Sequence, residues 1–151
     1  MFEMDLPDIA QSLDFTCGAA CFESMYQYFY GKPCGELYFA KQLGTMELGY
    51  TAPESIVKLA RYYGLLSELK HSAELSDLVE AISRGAVVFV TWWDEDAGHY
   101  SLVKKIDEDS ILLMDPWTAR NLSDNCVALE SFLSNWKLRG AKMISVRSSP
   151  R

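Results

Sequence analysis

Cys17-Gly18-Ala19-Ala20-Cys21-Phe22-Glu23-Ser24-Met25-Tyr26-Gln27-Tyr28-Phe29-Tyr30, stopped by Gly31 and Pro33, is the stretch on which the fold turns. Cys17, Cys21, Met25 and Phe29 recur every fourth residue, which sets them on one buried face of a helix. Thr16 or Asp14 is placed to cap its start, and the glycine and proline end it. Cys17 thus falls in the first turn. A thiolate there faces backbone N–H groups that lack helical partners, together with the positive end of the helix dipole. Both favour the charged, nucleophilic form. Six residues upstream, Gln11 can turn an amide N–H toward the same point, where it would stabilise an oxyanion.

A thiolate nucleophile needs a base, and the chain has two His residues. His71 lies in Leu69-Lys70-His71-Ser72-Ala73-Glu74, a polar stretch that reads as a surface connection. His99 follows the acidic turn Asp94-Glu95-Asp96-Ala97-Gly98 and opens Tyr100-Ser101-Leu102-Val103, which reads as a strand. Asp115-Pro116 closes a further strand-like run, Ile111-Leu112-Leu113-Met114. Adjacent antiparallel strands, one beginning with His and the next ending with Asp, carry both side chains to one end of a sheet. A carboxylate placed there holds the imidazole tautomer and steadies the imidazolium.

Outward from these residues the pattern is helical first and β-rich later. Helices are expected over 36–42, from Pro53 to Tyr63 with Gly64 as the stop, and over 75–84. The segment Thr45-Met46-Glu47-Leu48-Gly49-Tyr50-Thr51 reads as an exposed loop. Strands are expected over 86–93, 99–106, 110–115 and 141–147, with a helix at 129–137 before the last. Helices followed by an antiparallel sheet give an α+β fold. Without linker or repeat, residues 1–151 form a single domain with a short N-terminal arm (1–10).

Composition closes off several functions. Of 151 residues, 49% are apolar and 23% charged, which excludes disorder. The net charge of −7 offers no basic stripe for nucleic acid. No apolar run reaches the length of a membrane span, and the N-terminus lacks the basic and apolar regions of a secretory signal. Cys17, Cys21, Cys34 and Cys126 form neither a disulfide framework nor paired ligand spacing, so no metal or other cofactor is expected and the setting is cytoplasmic.

Each candidate alone has an ordinary structural reading: a small buried Cys, a satisfied His, an Asp-Pro turn. In the order Gln11, Cys17, His99, Asp115, each in a context that suits its role, they read as a thiol hydrolase site. The chain then resembles the bacteriocin-processing peptidases, which cut double-glycine leader peptides. The resemblance rests on Gln11-x5-Cys17-Gly18-x-Ala20, Tyr28-Phe29-Tyr30-Gly31, Gly98-His99-Tyr100, Asp115-Pro116 and Phe132-x3-Trp136-x3-Gly140. The acidic residue that family commonly carries before the Cys is Thr16 here.

The resemblance implies a papain-like fold, Cys17 as nucleophile, His99 as base, Asp115 as its orienter and Gln11 in the oxyanion hole. It also implies a peptide or protein substrate and a separate peptide exporter as partner. Gly98, Trp117 and Tyr50 are candidates for lining the substrate cleft. Two rivals use the same residues: a deamidase or transglutaminase-like enzyme acting on side-chain amides, and a domain that binds a leader peptide without cutting it.

Overall fold

A computed structural model describes residues 3–93, 99–117 and 125–149. The element order is α1 (Cys17–Tyr30), α2 (Glu36–Gln42), α3 (Thr45–Leu48), α4 (Pro53–Tyr62), β1 (Leu65–Lys70) and α5 (Leu75–Ser83). It continues with β2 (Val87–Trp93), β3 (His99–Ile106), β4 (Ser110–Met114), β5 (Asn125–Ala128), α6 (Leu129–Leu138) and β6 (Met143–Ser148). The six strands make one sheet in the order β1-β6-β2-β3-β4-β5, and every described pairing is antiparallel.

Strand alternation divides the core in two. Val87 and Phe89 of β2, with Tyr100 and Leu102 of β3, face α1, α2 and α4. Val88 and Val90 face the other way, toward α5 and α6, where Phe132 and Trp136 are fully buried. A strand covered on both sides needs apolar residues at every position, and Val87-Val88-Phe89-Val90 supplies them. Each large buried side chain contributes about 1.5–3 kcal/mol of burial free energy.

The helices α1, α2, α4, α5 and α6 and the strands β2, β3, β4 and β6 fall where the sequence puts them. Gly31 ends α1 in the left-handed region, φ 70°, and its N–H returns to the Gln27 carbonyl. That conformation carries no steric penalty for glycine. Three expectations are corrected. The segment 45–51 is not simply a loop, because Thr45–Leu48 form a short helix bracketed by left-handed Gly44 and Gly49. Leu69 and Lys70 belong to β1, an edge strand not expected from the sequence, and β5 was also not expected. Thr16 occupies the N-cap position of α1 without capping it by its side chain. Its hydroxyl instead contacts Glu36 Oε2 at 2.6 Å.

The N-terminal arm is built into the fold. Met4 and Leu6 are buried, the Met4 N–H donates to the Lys104 carbonyl at 2.8 Å, and Lys104 pairs with Asp8 at 2.9 Å. This strap carries residue 11 to the start of α1.

Candidate active site

The first residue of α1 meets the ends of β3 and β4. Cys17 is buried at 7% exposure, and the Tyr100 backbone N–H donates to its Sγ at 3.5 Å. The N-cap residue makes no side-chain cap hydrogen bond, so Thr16 does not take the first-turn N–H groups beside the sulfur.

His99 is the first residue of β3, and Asp115 directly follows β4. Pairing of Leu102 with Met114 fixes the register that brings both to the same end of the sheet. His99 Nε2 lies 2.6 Å from Asp115 Oδ1, and Cys17 acts on the same ring, helping to raise its pKa. With Nε2 engaged by the carboxylate, Nδ1 is the ring nitrogen left for a second partner. His71 is exposed and distant in the fold, beyond β1.

Asp115 is held from several directions. The Trp117 N–H donates to Oδ1 at 2.9 Å, while the Trp93 indole and the Asn125 amide donate to Oδ2 at 3.2 and 3.0 Å. The Trp93 ring also covers His99, with centroids 4.2 Å apart and planes inclined by 32°. A shift in register between Thr91 and Trp93 of β2 sets Trp93 opposite His99.

Electrostatics follow from this packing. Burial pushes the His99 imidazolium down, but hydrogen bonds and charges from Asp115 and Cys17 outweigh it and raise the ring from 6.5 to about 9. Burial pushes Asp115 up, and its bonds to His99, Trp117 and Trp93 more than reverse this, so the carboxyl lies below its ordinary value. Cys21, one turn behind Cys17, has its thiol pushed well up by burial, with the Cys17 and Asp115 charges adding to the effect. Cys21 packs as a neutral core residue.

Gln11 is buried in the segment leading into α1. Its N–H donates to the Pro116 carbonyl at 3.2 Å, beside Asp115, and its side-chain amide donates to the Leu13 carbonyl at 2.7 Å. Trp117 is 41% exposed and Tyr50 44% exposed. Tyr50 borders Thr51, whose carbonyl accepts the Tyr100 hydroxyl at 2.9 Å and whose side chain abuts Gly18. Gly98 lies outside the described residues.

Sequence reasoning missed three contributors. The Tyr100 N–H leaves no trace in residue identity, because any residue but proline supplies one. Asn125 sits on a four-residue strand too short to show a pattern. Trp93 ends the run 86–93 that the sequence reads as a strand, and only the β2 register reveals its bond to Asp115.

A groove of about 750 Å³ between α4, β1 and α5 holds none of these residues. Among the described residues no group of three or more His, Cys, Asp or Glu could hold a metal ion, and no helix is long and apolar enough to cross a membrane.

The same architecture recurs in solved structures. The peptidase domain of Streptococcus ComA, a bifunctional ABC transporter of a quorum-sensing pathway, superposes with a TM-score of 0.72 at 18% identity, covering 93% of this chain and 97% of its own. A double-glycine-motif protease from an AMS/PCAT transporter, solved with a leader peptide, gives 0.75 at 17% identity over 98% of this chain and 95% of its own. A putative C39-like peptidase from Bacillus anthracis gives 0.75 at 17% over 98% and 97%. These likenesses establish the papain-like fold expected from the sequence. No curated protein is significantly similar in sequence. The peptidase C39 family profile, however, matches residues 6–149, nearly the whole of the described structure. The chain therefore belongs to the peptidase C39 family and is a cysteine peptidase.

Proposed function

We propose that Cys17, His99, Asp115 and Gln11 carry out peptide-bond cleavage, and that the scissile bond follows a Gly-Gly leader sequence. The observation that supports the residue roles is the His99 Nε2–Asp115 Oδ1 contact at 2.6 Å, with Cys17 held beside it by the N–H of the next residue, Tyr100, and placed to raise the same ring's pKa. Cys17 gives its proton to His99, and the thiolate attacks the carbonyl carbon to form an S–C bond. The oxyanion is met by a Gln11 amide hydrogen and the Cys17 backbone N–H. Collapse breaks the C–N bond, His99 returns the proton to the leaving amine, and water hydrolyses the acyl-enzyme. Asp115 keeps Nε2 engaged so that Nδ1 faces the sulfur. An oxyanion donor of this kind is worth about 2.7–4 kcal/mol of barrier.

The leader-peptide reading draws on the AMS/PCAT neighbour, whose structure holds such a peptide. It also draws on the surface beside the site, where Met46, Leu48, Tyr50 and Trp117 are 41–55% exposed. Apolar side chains at that density suit an extended or helical peptide. The partner would be a separate exporter that takes the trimmed peptide. A nucleophile that must stay reduced fits a cytoplasmic setting.

Cys17→Ala should abolish cleavage of a peptide containing a Gly-Gly junction while leaving the circular dichroism spectrum unchanged. Residual turnover at the wild-type rate would remove Cys17 from the mechanism. Cleavage after bulky residues would remove the leader specificity. Ammonia release from glutamine-bearing proteins without peptide cleavage would favour the deamidase rival.

A further inference from the structure

The loop between Gln11 and Cys17 is tied to a single buried carboxylate from another helix. Glu36, the first residue of α2, is 9% exposed and directs both oxygens into this loop. Oε2 accepts the Ser12 N–H at 2.7 Å and the Thr16 hydroxyl at 2.6 Å, and Oε1 accepts the Ser12 hydroxyl. Thr16 Oγ1 in turn accepts the Leu13 N–H at 3.1 Å. The Leu13 carbonyl receives the Gln11 amide at 2.7 Å and the Thr16 N–H at 3.3 Å. Contacts therefore run from Glu36 through Ser12 and Thr16 to the carbonyl that holds the Gln11 side chain.

A first-turn carboxylate gains only about 0.3–1 kcal/mol from the helix dipole, and it can do so while exposed to water. Burying one costs several kcal/mol unless hydrogen bonds satisfy it. The dipole alone does not explain why the Ser12 N–H, the Ser12 hydroxyl and the Thr16 hydroxyl, which all bond this carboxylate, come from the five residues that separate Gln11 from Cys17. A loop of that length, left to itself, samples many backbone conformations. An oxyanion donor acts only if it already points where charge will develop.

We propose that Glu36 is a positioning residue for the oxyanion hole, fixing the 12–16 loop so that Gln11 is set relative to Cys17. This rests on the Gln11 and Cys17 roles proposed above. It assigns Glu36 no contact with substrate; its effect is on the transition state and not on peptide binding.

The test is a cycle of Glu36→Gln, Gln11→Ala and the double variant, measuring kcat and KM for a Gly-Gly peptide, with thermal unfolding alongside. Gln keeps the shape but places an NH2 where one acceptor oxygen stood. The expected result for Glu36→Gln is a loss in kcat of up to about 10²-fold, the scale of a misplaced catalytic group, at a KM close to wild type. The double variant should be no slower than Gln11→Ala alone, because both losses run through the same donor. Should Glu36→Gln fail to fold, Thr16→Val removes one relay hydroxyl at nearly constant shape, and the same non-additivity is expected.

A folded Glu36→Gln variant with wild-type kcat, or losses that multiply in the double variant, overturns the proposal even if Gln11→Ala is crippled. A Gln11→Ala enzyme with wild-type kcat overturns the oxyanion reading, and this inference with it.

Discussion

Nε2 of His99 is committed to Asp115, which leaves Nδ1 for the proton exchange with Cys17 proposed above. Since the ring is raised from 6.5 to about 9, the imidazolium persists through neutral pH and is lost only in alkali. kcat/KM should therefore fall above about pH 9 as His99 deprotonates. Asp115→Asn removes one source of the upward shift while burial still pushes the other way. Its alkaline limb should move to lower pH, which a pH–rate profile of both enzymes measures. Stability shares the sign. A group whose folded value exceeds its unfolded value stabilises fully below the unfolded one, here 6.5, and loses that contribution as pH rises through about 9. The unfolding midpoint should decline across that window in the wild type and less so in Asp115→Asn.

At the scale of elements, α1 is held against its neighbours by the absence of one side chain. A Cβ on Gly18 would lie 2.7 Å from Thr51 Oγ1 and 2.8 Å from Thr51 Cβ. Gly18→Ala gains about 1 kcal/mol of helix propensity, yet the overlap must move Thr51 at about 1–3 kcal/mol. Thr51 also holds the Tyr100 hydroxyl, so a net loss of stability accompanied by reduced turnover is expected, read by thermal unfolding and initial rates. The α1 helix was legible because its apolar period, glycine stop and proline agree. The His99–Asp115 meeting was legible because only one strand pairing carries both to one end. β1 was not, since Ser67 takes a buried position where the alternation calls for an apolar residue, its hydroxyl satisfied by the Val57 carbonyl at 2.9 Å. Glu36 was invisible as a partner of Thr16, because no local pattern links residues twenty apart across two helices.

Across the whole molecule, Cys17 comes from the helical layer and His99 and Asp115 from the sheet. The site exists only while the layers stay packed. The second core, on the far face, contains none of these residues but supports the same strands. Phe132→Ala should cost about 3–5 kcal/mol and still give a single cooperative unfolding transition in which activity and secondary structure disappear together. Two separated transitions would show that the faces fold independently.

The N–H that Tyr100 offers the sulfur belongs to the main chain and not to a side chain. It survives almost any point substitution at that position; proline alone deletes it outright. Part of the sulfur's surroundings is thus inherited through strand register and not through residue identity, and is open to insertions and deletions more than to substitutions. An inventory of side chains therefore understates what holds this sulfur in place.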